Sequence, residues 1–258
     1  MLFWTWRTEE VKQLLEWMSE YNRGKPAAEK LHYVGFDCQL TDFHRDLLRT
    51  YLTVTEAPFL ALADTVLQEM DLRQEFGFGN FTEENFEDYL ARIDRLQTAM
   101  EAAAPDLIAR SSEEDYRRYL RLLEVTRQAS EVRYQNDQRN FSRGFTLRDR
   151  GMADNTIWWS DYYDGAKTFV WAHNAHVAND GNFLDLGSTQ GFHLRRELRE
   201  DYAIVGFLFN RGTFTAVGDM GLATQEIDFD PPSNSMNDFF HAAGAPVFAV
   251  TIDELEQR

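Results

Sequence analysis

The middle of the chain, about residues 41–140, carries helical periodicity throughout and contains no strand signal. Thr41 or Asp42 is predicted to begin the first helix there. Thr82 and Ser112 can cap later ones, because acidic residues follow each and favour the positive first turn. One apolar face recurs at helical spacing, at Phe86, Leu90, Ile93, Leu96 and Met100. This stretch is therefore expected to pack as helices.

Short apolar runs of the kind that form buried strands lie on both sides of this helical stretch. The predicted strands cover residues 31–36, 167–172, 203–209, 213–217 and 247–251. Helices are predicted from Thr8 onward and over residues 146–159, 192–199 and 237–242. Continuous apolar strands separated by helices are typical of a sheet covered on both faces. We therefore predict an α/β fold, a mostly parallel sheet flanked by helices, with the large all-helical insertion at about 41–140 and the α/β part at 1–40 and 146–258.

Composition and charge exclude several classes of protein. The 258 residues are 43% hydrophobic, enough for the core of a single domain over 1–258, and no run approaches the roughly 18 apolar residues of a membrane span. The net charge of -17 and the sequence pI near 4.7 would repel nucleic acid and anionic lipid, so neither is expected as a partner. The single Cys38 excludes an intramolecular disulfide. The start does not resemble a signal peptide, and a cytoplasmic protein is expected.

Polar residues that could perform chemistry follow the predicted strands directly. In an open α/β sheet, ligands bind beyond the carboxyl ends of parallel strands. Asp37 follows the first strand, residues 173–176 (His-Asn-Ala-His) follow the second, and residues 210–212 (Asn-Arg-Gly) follow the third. If the strands run parallel, a carboxylate, two imidazoles and a guanidinium meet at one edge of the sheet.

The pair His173 and His176 is the most distinctive local pattern. An imidazole can take a proton from water near neutral pH, and a second donor can orient it or stabilise an oxyanion. The same spacing suits two metal ligands if Asp37 supplies a third. It also suits histidines that only bond loop backbone. Cys38 is more typical of a small buried residue than of a nucleophile. Arg148 and Asn155, seven positions apart, can share one face of a helix.

Residues 171–177 (Trp-Ala-His-Asn-Ala-His-Val) resemble the Trp-Ala-His-Asn-x-His segment of the erythromycin esterase-like hydrolases. Further stretches fit that family in order. Residues 3–10 resemble its helix before a Gly-Phe-Asp strand, and residues 35–37 resemble that strand. Residues 148–155 resemble its Arg-x-x-x-Met-x-x-Asn helix, and residues 205–214 its next strand pair. The resemblance covers nearly the whole chain.

The resemblance implies a hydrolase in which water attacks an ester, in the best-known members the lactone of a macrolide antibiotic, with histidine as general acid and base. Antibiotic resistance is the role that follows. The catalytic residues implied are His173 and His176. The substrate would be a small-molecule ester or macrolide, and the residues expected to bind it are Asp37, Arg148, Asn155 and Asn174. No cofactor is certain, and a divalent metal is left open.

One family segment has no counterpart here. The family carries Gly-Glu-x-x-His-Gly before the stretch that resembles residues 1–17, whereas the Glu29 to His32 spacing of this chain enters a different strand. A truncated, weakly active enzyme is therefore expected, and its open sheet edge would favour a homodimer. Two alternatives stay open. One is a non-catalytic ligand-binding module, because the missing segment lies on the family's first strand and supplies the histidine usually taken as the base. The other is a metal-dependent hydrolase that uses His173, His176 and Asp37 as ligands.

Overall fold

The structure is a computed structural model that describes residues 4–39, 41, 43–209, 211–218, 221–227, 232–242, 244 and 249. The chain divides into two compact units, Met1–Ile204 and Val205–Arg258. Helices dominate the first unit, and the described part of the second contains a strand pair and one short helix. No helix in the described ranges combines the length and apolar character needed to cross a membrane.

The first unit is built mainly from helices. Its described α-helices are α1 (Glu9–Tyr21), α2 (His44–Val54), α3 (Leu60–Phe76), α4 (Glu83–Ala102), α5 (Ala104–Arg110), α6 (Glu113–Asp137), α7 (Phe141–Tyr162), α8 (Asn174–Val177) and α9 (Gln190–Leu198). Short 3-10 turns lie at Trp4–Trp6, Ala27–Glu29, Phe183–Asp185 and Arg199–Asp201.

The predicted helix caps are confirmed where their side chains bond the first turn. The hydroxyls of Thr8, Thr82 and Ser112 accept hydrogen bonds from backbone N–H groups three residues later, at 3.3, 3.2 and 3.0 Å. Helix α2 begins at His44 instead of Thr41, whose carbonyl accepts the His44 N–H at 3.0 Å. Asp42 lies outside the described residues. Helix α7 begins at residue 141, five positions before its predicted start.

The apolar core of the first unit lies among α2, α3, α4, α5 and α6. Its fully buried side chains include Leu48, Leu52, Leu67, Ile93, Leu96, Met100, Leu107 and Leu123. Phe78 packs edge-on against Phe86 at a ring distance of 5.3 Å, and Phe86 stacks on Tyr134 at 3.9 Å. The helical middle of the chain is therefore confirmed as a packed helical core.

The predicted mostly parallel sheet is wrong. Residues 31–36, 167–172 and 203–209 are all described, and none of the three segments forms a strand. Their apolar side chains are largely exposed, with Phe169 at 79% and Phe207 at 73%. A strand needs a hydrogen-bonded neighbour as well as apolar residues, and an apolar run does not reveal whether it has one.

The second unit contains an antiparallel pair, β1 (Gly212–Gly218) and β2 (Gly221–Ile227). The register pairs Gly212 with Ile227 and Gly218 with Gly221. Helix α10 (Met236–His241) follows, and the Ser235 hydroxyl caps it by accepting the Asp238 N–H at 3.1 Å. The predicted strand at 213–217 and the helix at 237–242 are confirmed within a residue. The strand predicted at 247–251 lies outside the described residues, apart from residue 249.

Candidate active site

The first feature of the site is an ion pair between Arg148 on α7 and Asp37. Arg148 Nε donates to Asp37 Oδ1 at 3.0 Å and Nη2 donates to Oδ2 at 2.8 Å, a bidentate geometry. Burial lowers the pKa of Arg148, but the hydrogen bond and the charge of Asp37 raise it, and the net pKa lies above the usual arginine value. The guanidinium is therefore a permanent cation whose third nitrogen, Nη1, is not used by Asp37.

Asp37 is held in place by helix α7 instead of by a sheet. Asn155 Nδ2 donates to the Phe36 carbonyl at 2.8 Å, and Trp159 Nε1 donates to the Gly35 carbonyl at 2.9 Å. Asn155 lies seven residues after Arg148, so both side chains emerge from the same face of the helix. Cys38 is fully buried beside this segment, and burial raises the pKa of its thiol to about 12. The prediction that Cys38 is a buried residue is confirmed.

The second feature is a histidine and carboxylate pair between His176 and Asp149. His176 Nδ1 lies 2.9 and 3.0 Å from the two Asp149 oxygens. Two acceptor oxygens at this distance assign the proton to Nδ1, which leaves Nε2 unprotonated and able to accept a hydrogen bond. His176 Nε2 lies 3.4 Å from Arg148 Nη1. Adjacent residues of α7, Arg148 and Asp149, therefore contact opposite nitrogens of one imidazole.

Asp149 is buried completely, with 0% of its side chain exposed against 17% for His176. Its Oδ2 accepts the backbone N–H of Gln190, the first residue of α9, at 2.7 Å. A helix N-terminus favours a negative charge, so α9 helps to offset the cost of burying this carboxylate. The next residue, Gly191, allows the start of α9 to lie against the end of α8, because a Cβ at residue 191 would lie 2.1 Å from the Val177 carbonyl oxygen.

His173 has the opposite tautomer. It precedes α8, and its Nδ1 accepts the Ala175 N–H at 3.1 Å as a helix cap. A neutral ring that accepts at Nδ1 carries its proton at Nε2 and can act there as a donor but not as a base. His173 is exposed, whereas His176 is half-buried. The two predicted catalytic histidines are therefore not equivalent, and the role predicted for His173 stays a prediction.

The remaining predicted residues differ in how far they join this cluster. Asn155 also donates to Gln128 Oε1 at 3.1 Å and accepts from Arg121 Nη2. Asn155 therefore connects the backbone next to Asp37 to Gln128 and Arg121 on α6. Asn174 begins α8, and its carbonyl accepts the Ala178 N–H at 3.0 Å. The substrate-binding role predicted for Asn174 stays a prediction.

The sequence did not lead us to predict four residues of this hydrogen-bond network, namely Asp149, Gln128, Gln190 and Arg121. Asp149 had a signal, since it stands next to Arg148 in the stretch that matches the family helix. Arg121 had none. Burial lowers the pKa of Arg121, and its Nε is a buried nitrogen without a hydrogen-bond partner in the described ranges. Its guanidinium also lies over the Trp158 ring at 5.6 Å.

The side chains present do not fit the metal site of the metal-dependent alternative, in which His173, His176 and Asp37 are the ligands. Both oxygens of Asp37 accept from Arg148, and His176 Nε2 accepts from the same guanidinium, so a metal ion at these atoms would have to displace Arg148. Over the described residues, no group of three or more His, Cys, Asp or Glu side chains is placed to hold a metal ion.

Three solved structures show the same fold at low sequence identity. A succinoglycan biosynthesis protein is 21% identical with a TM-score of 0.72, over 88% of this chain and 55% of its own. A Bacillus cereus protein is 20% identical with a TM-score of 0.73, over 90% and 57%. A mutant of the erythromycin esterase EreC in its open conformation is 19% identical with a TM-score of 0.58, over 90% and 62%.

These comparisons set the extent of the likeness. The chain spans 55 to 62% of the length of the three solved structures. The comparison with curated proteins found no match. The family model for erythromycin esterase matches residues 1–258, the whole chain. The motif resemblance is thereby confirmed, and the chain belongs to the erythromycin esterase family of hydrolases.

Proposed function

We propose that this chain hydrolyses a carboxylic ester by general-base catalysis at His176, with a macrolide lactone as the specific substrate to test. The observation that carries the proposal is the contact of His176 Nδ1 with the buried Asp149. That contact is the arrangement by which a carboxylate orients a histidine base and stabilises the imidazolium that forms. Membership of the esterase family supports the choice of an ester.

Proton transfer would start at His176 Nε2. A water bound there loses a proton to Nε2 while its oxygen forms a bond to the ester carbonyl carbon. Asp149 accepts the Nδ1–H throughout and stabilises the imidazolium by its negative charge. The leaving alkoxide then takes the proton from Nε2 as the carbon–oxygen bond breaks. The products are a carboxylic acid and an alcohol, and the histidine returns to its neutral state.

Arg148 would stabilise the oxyanion of the tetrahedral intermediate. Its Nε and Nη2 are held by Asp37, so Nη1 is the guanidinium nitrogen directed at the histidine, 3.4 Å from Nε2. At this separation Arg148 Nη1 donates a long hydrogen bond to the Nε2 lone pair, so the attacking water takes the place of Nη1 at Nε2 and frees Nη1 for the oxyanion. Asp37 offsets the charge of Arg148, so the imidazolium forms next to an ion pair instead of a bare cation.

The test measures hydrolysis of a chromogenic p-nitrophenyl ester and of a macrolide lactone by the purified chain. We expect His176→Ala to lower kcat by ~10²–10⁴-fold, the usual contribution of a general base. The matched control is His32→Ala, because His32 stacks on Tyr163 at 3.9 Å and takes no part in the cluster. Helix content by circular dichroism confirms that both variants fold.

Two results would contradict the proposal. If His176→Ala kept the parent rate, the base would be elsewhere. If the parent bound the ester tightly but released no product at high enzyme concentration, the non-catalytic binding hypothesis would be correct. Comparison of the two substrates tests the macrolide assignment separately, since loss of lactone hydrolysis alone leaves the esterase proposal intact.

A further inference from the structure

A small polar cavity lies inside the helical part of the first unit, on the side of α6 that faces α2 and α3. It measures about 90 Å³, several times the ~10–15 Å³ that admits one water molecule. The polar side chains that line it include Arg45, Arg73, Arg133, Tyr89, Ser130 and Gln39. None of these residues belongs to the proposed catalytic cluster.

The lining carries positive charge in a strongly acidic protein. Three guanidinium groups line the cavity, and among the described lining residues none is acidic. The chain as a whole carries a net charge of -17. Asp71 pairs with Arg45 and Asp137 pairs with Arg133, but neither carboxylate is among the described lining residues. These two carboxylates offset the charges of Arg45 and Arg133, so the positive charge that the cavity offers to an anion comes mainly from Arg73.

Arg73 provides donors that are not fully used. Its Nη1 donates to the Gly77 carbonyl at 3.2 Å, and its guanidinium lies 4.7 Å from the centre of the Phe81 ring. Its Nε is buried without a hydrogen-bond partner in the described part of the chain, and no described carboxylate forms an ion pair with Arg73. A buried charged donor without an acceptor is costly, so an acceptor supplied by a ligand would stabilise the folded protein.

The two hydroxyls of the cavity are neutral hydrogen-bonding groups. Tyr89 Oη lies 3.0 Å from Ser130 Oγ, which in turn donates to the Thr126 carbonyl at 3.0 Å. Burial raises the pKa of Tyr89 to about 12, so its hydroxyl keeps its proton near neutral pH. The hydroxyls therefore add no negative charge that would oppose an anion.

From this arrangement we propose that the cavity binds a small oxyanion, with Arg73 and Arg133 as its hydrogen-bond donors. Inorganic phosphate, a small phosphate ester and a small carboxylate share the chemistry required, namely several acceptor oxygens and a negative charge. Gln39, which lines the cavity, follows Asp37 by two residues. Its backbone N–H donates to Asp37 Oδ1 at 3.1 Å, so the cavity lies next to the catalytic cluster along the chain. Binding does not depend on hydrolysis of an ester.

The test is isothermal titration calorimetry of the full chain with inorganic phosphate, against sodium chloride of equal ionic strength. We expect saturable binding of phosphate by the parent and at least a tenfold increase in Kd for Arg73→Gln. The matched control, Arg95→Gln, removes an exposed arginine of α4 that donates to the Ala91 carbonyl, and its Kd should equal that of the parent. A second variant, Arg133→Gln, should also weaken binding, and circular dichroism checks that each variant folds.

Titrations with methyl phosphate and acetate distinguish the sources of the anion. Strongest binding of inorganic phosphate identifies a free inorganic ion, and strongest binding of either organic anion identifies an organic ligand. The proposal is overturned if none of the three gives saturable binding beyond chloride. It is equally overturned if folded Arg73→Gln and Arg133→Gln both bind as tightly as Arg95→Gln, because the cavity would then hold only water.

Discussion

The interior among α2 to α6 and the interior around α7 are built from opposite kinds of side chain. The first buries leucine, isoleucine and methionine, such as Leu48, Ile93 and Met100. The second buries Asp149, Asn155 and other polar groups that are held by hydrogen bonds. Apolar burial stabilises a fold directly, whereas polar burial is costly unless each group finds a partner. We therefore expect substitutions in the first interior to change stability and, if the proposed function is correct, substitutions in the second to change the rate of hydrolysis.

The largest expected effect is on rate, from a substitution in the polar interior. Asp149→Asn keeps the shape of the side chain but removes the charge that supports the His176 imidazolium. We expect kcat for ester hydrolysis to fall by ~10²–10⁴-fold. Asp154→Asn is the control, because Asp154 is an exposed carboxylate of the same helix, 3.9 Å from Arg150. Equal values of kcat in the two variants would contradict the proposal that the buried Asp149 contributes to ester hydrolysis.

A substitution in the apolar interior should instead change stability without changing chemistry. Leu48 is 0% exposed, and its neighbour Leu47 on the same helix is 46% exposed. We expect Leu48→Ala to lower the free energy of unfolding by about 2–5 kcal/mol. Leu47→Ala should change it by less than about 0.5 kcal/mol. Denaturant unfolding measures both. A fall in kcat of folded Leu48→Ala comparable to that of Asp149→Asn would contradict the division between the two interiors.

Gly191→Ala tests whether packing positions the polar interior. The added Cβ would lie 2.1 Å from the Val177 carbonyl oxygen, so α9 must move away from α8 and carry Gln190 with it. Forced overpacking of this kind costs about 1–3 kcal/mol, and we also expect a lower kcat. The control is Gly165→Ala, where no atom lies within 4 Å of the new Cβ, although its positive φ adds local strain. Unchanged kcat in Gly191→Ala would show that α9 does not position Asp149.

The smallest expected effect is on the pH dependence of stability. Burial lowers the pKa of His193, and the charge of Arg150 lowers it further. The unfolded chain therefore binds this proton more readily than the folded protein, so the contribution of His193 to stability is present above about pH 6.5 and is lost as the pH falls. Between about pH 7.5 and pH 5.5 the Tm of the parent should fall more than that of His193→Gln. An identical fall in both would show that His193 does not contribute.

Several features could be predicted from the sequence because the physics behind them is local. The caps at Thr8, Thr82 and Ser112 and the apolar face of α4 depend on residues within one or two helical turns. The motif stretches were sufficient to identify the family, which the match over residues 1–258 confirmed. Asp37, Arg148, Asn155 and His176, which these stretches contain, are connected by hydrogen bonds in the structure, but not at the rim of a parallel sheet as expected, and their roles stay predictions.

Tertiary structure alone decided which segments pair and which nitrogen of each histidine holds the proton. Residues 167–172 have the composition of a strand, but a strand forms only where a second backbone is within hydrogen-bonding distance, and composition does not encode that distance. His173 and His176 are the same residue type three positions apart, yet a local cap makes one a donor and the distant Asp149 makes the other an acceptor at Nε2. The sequence by itself determined the helices and the motifs that identify the family, since both can be read from residues close together in the chain. The protonation pattern and the polar interior depend on contacts between residues far apart in the chain, which only the folded structure brings together.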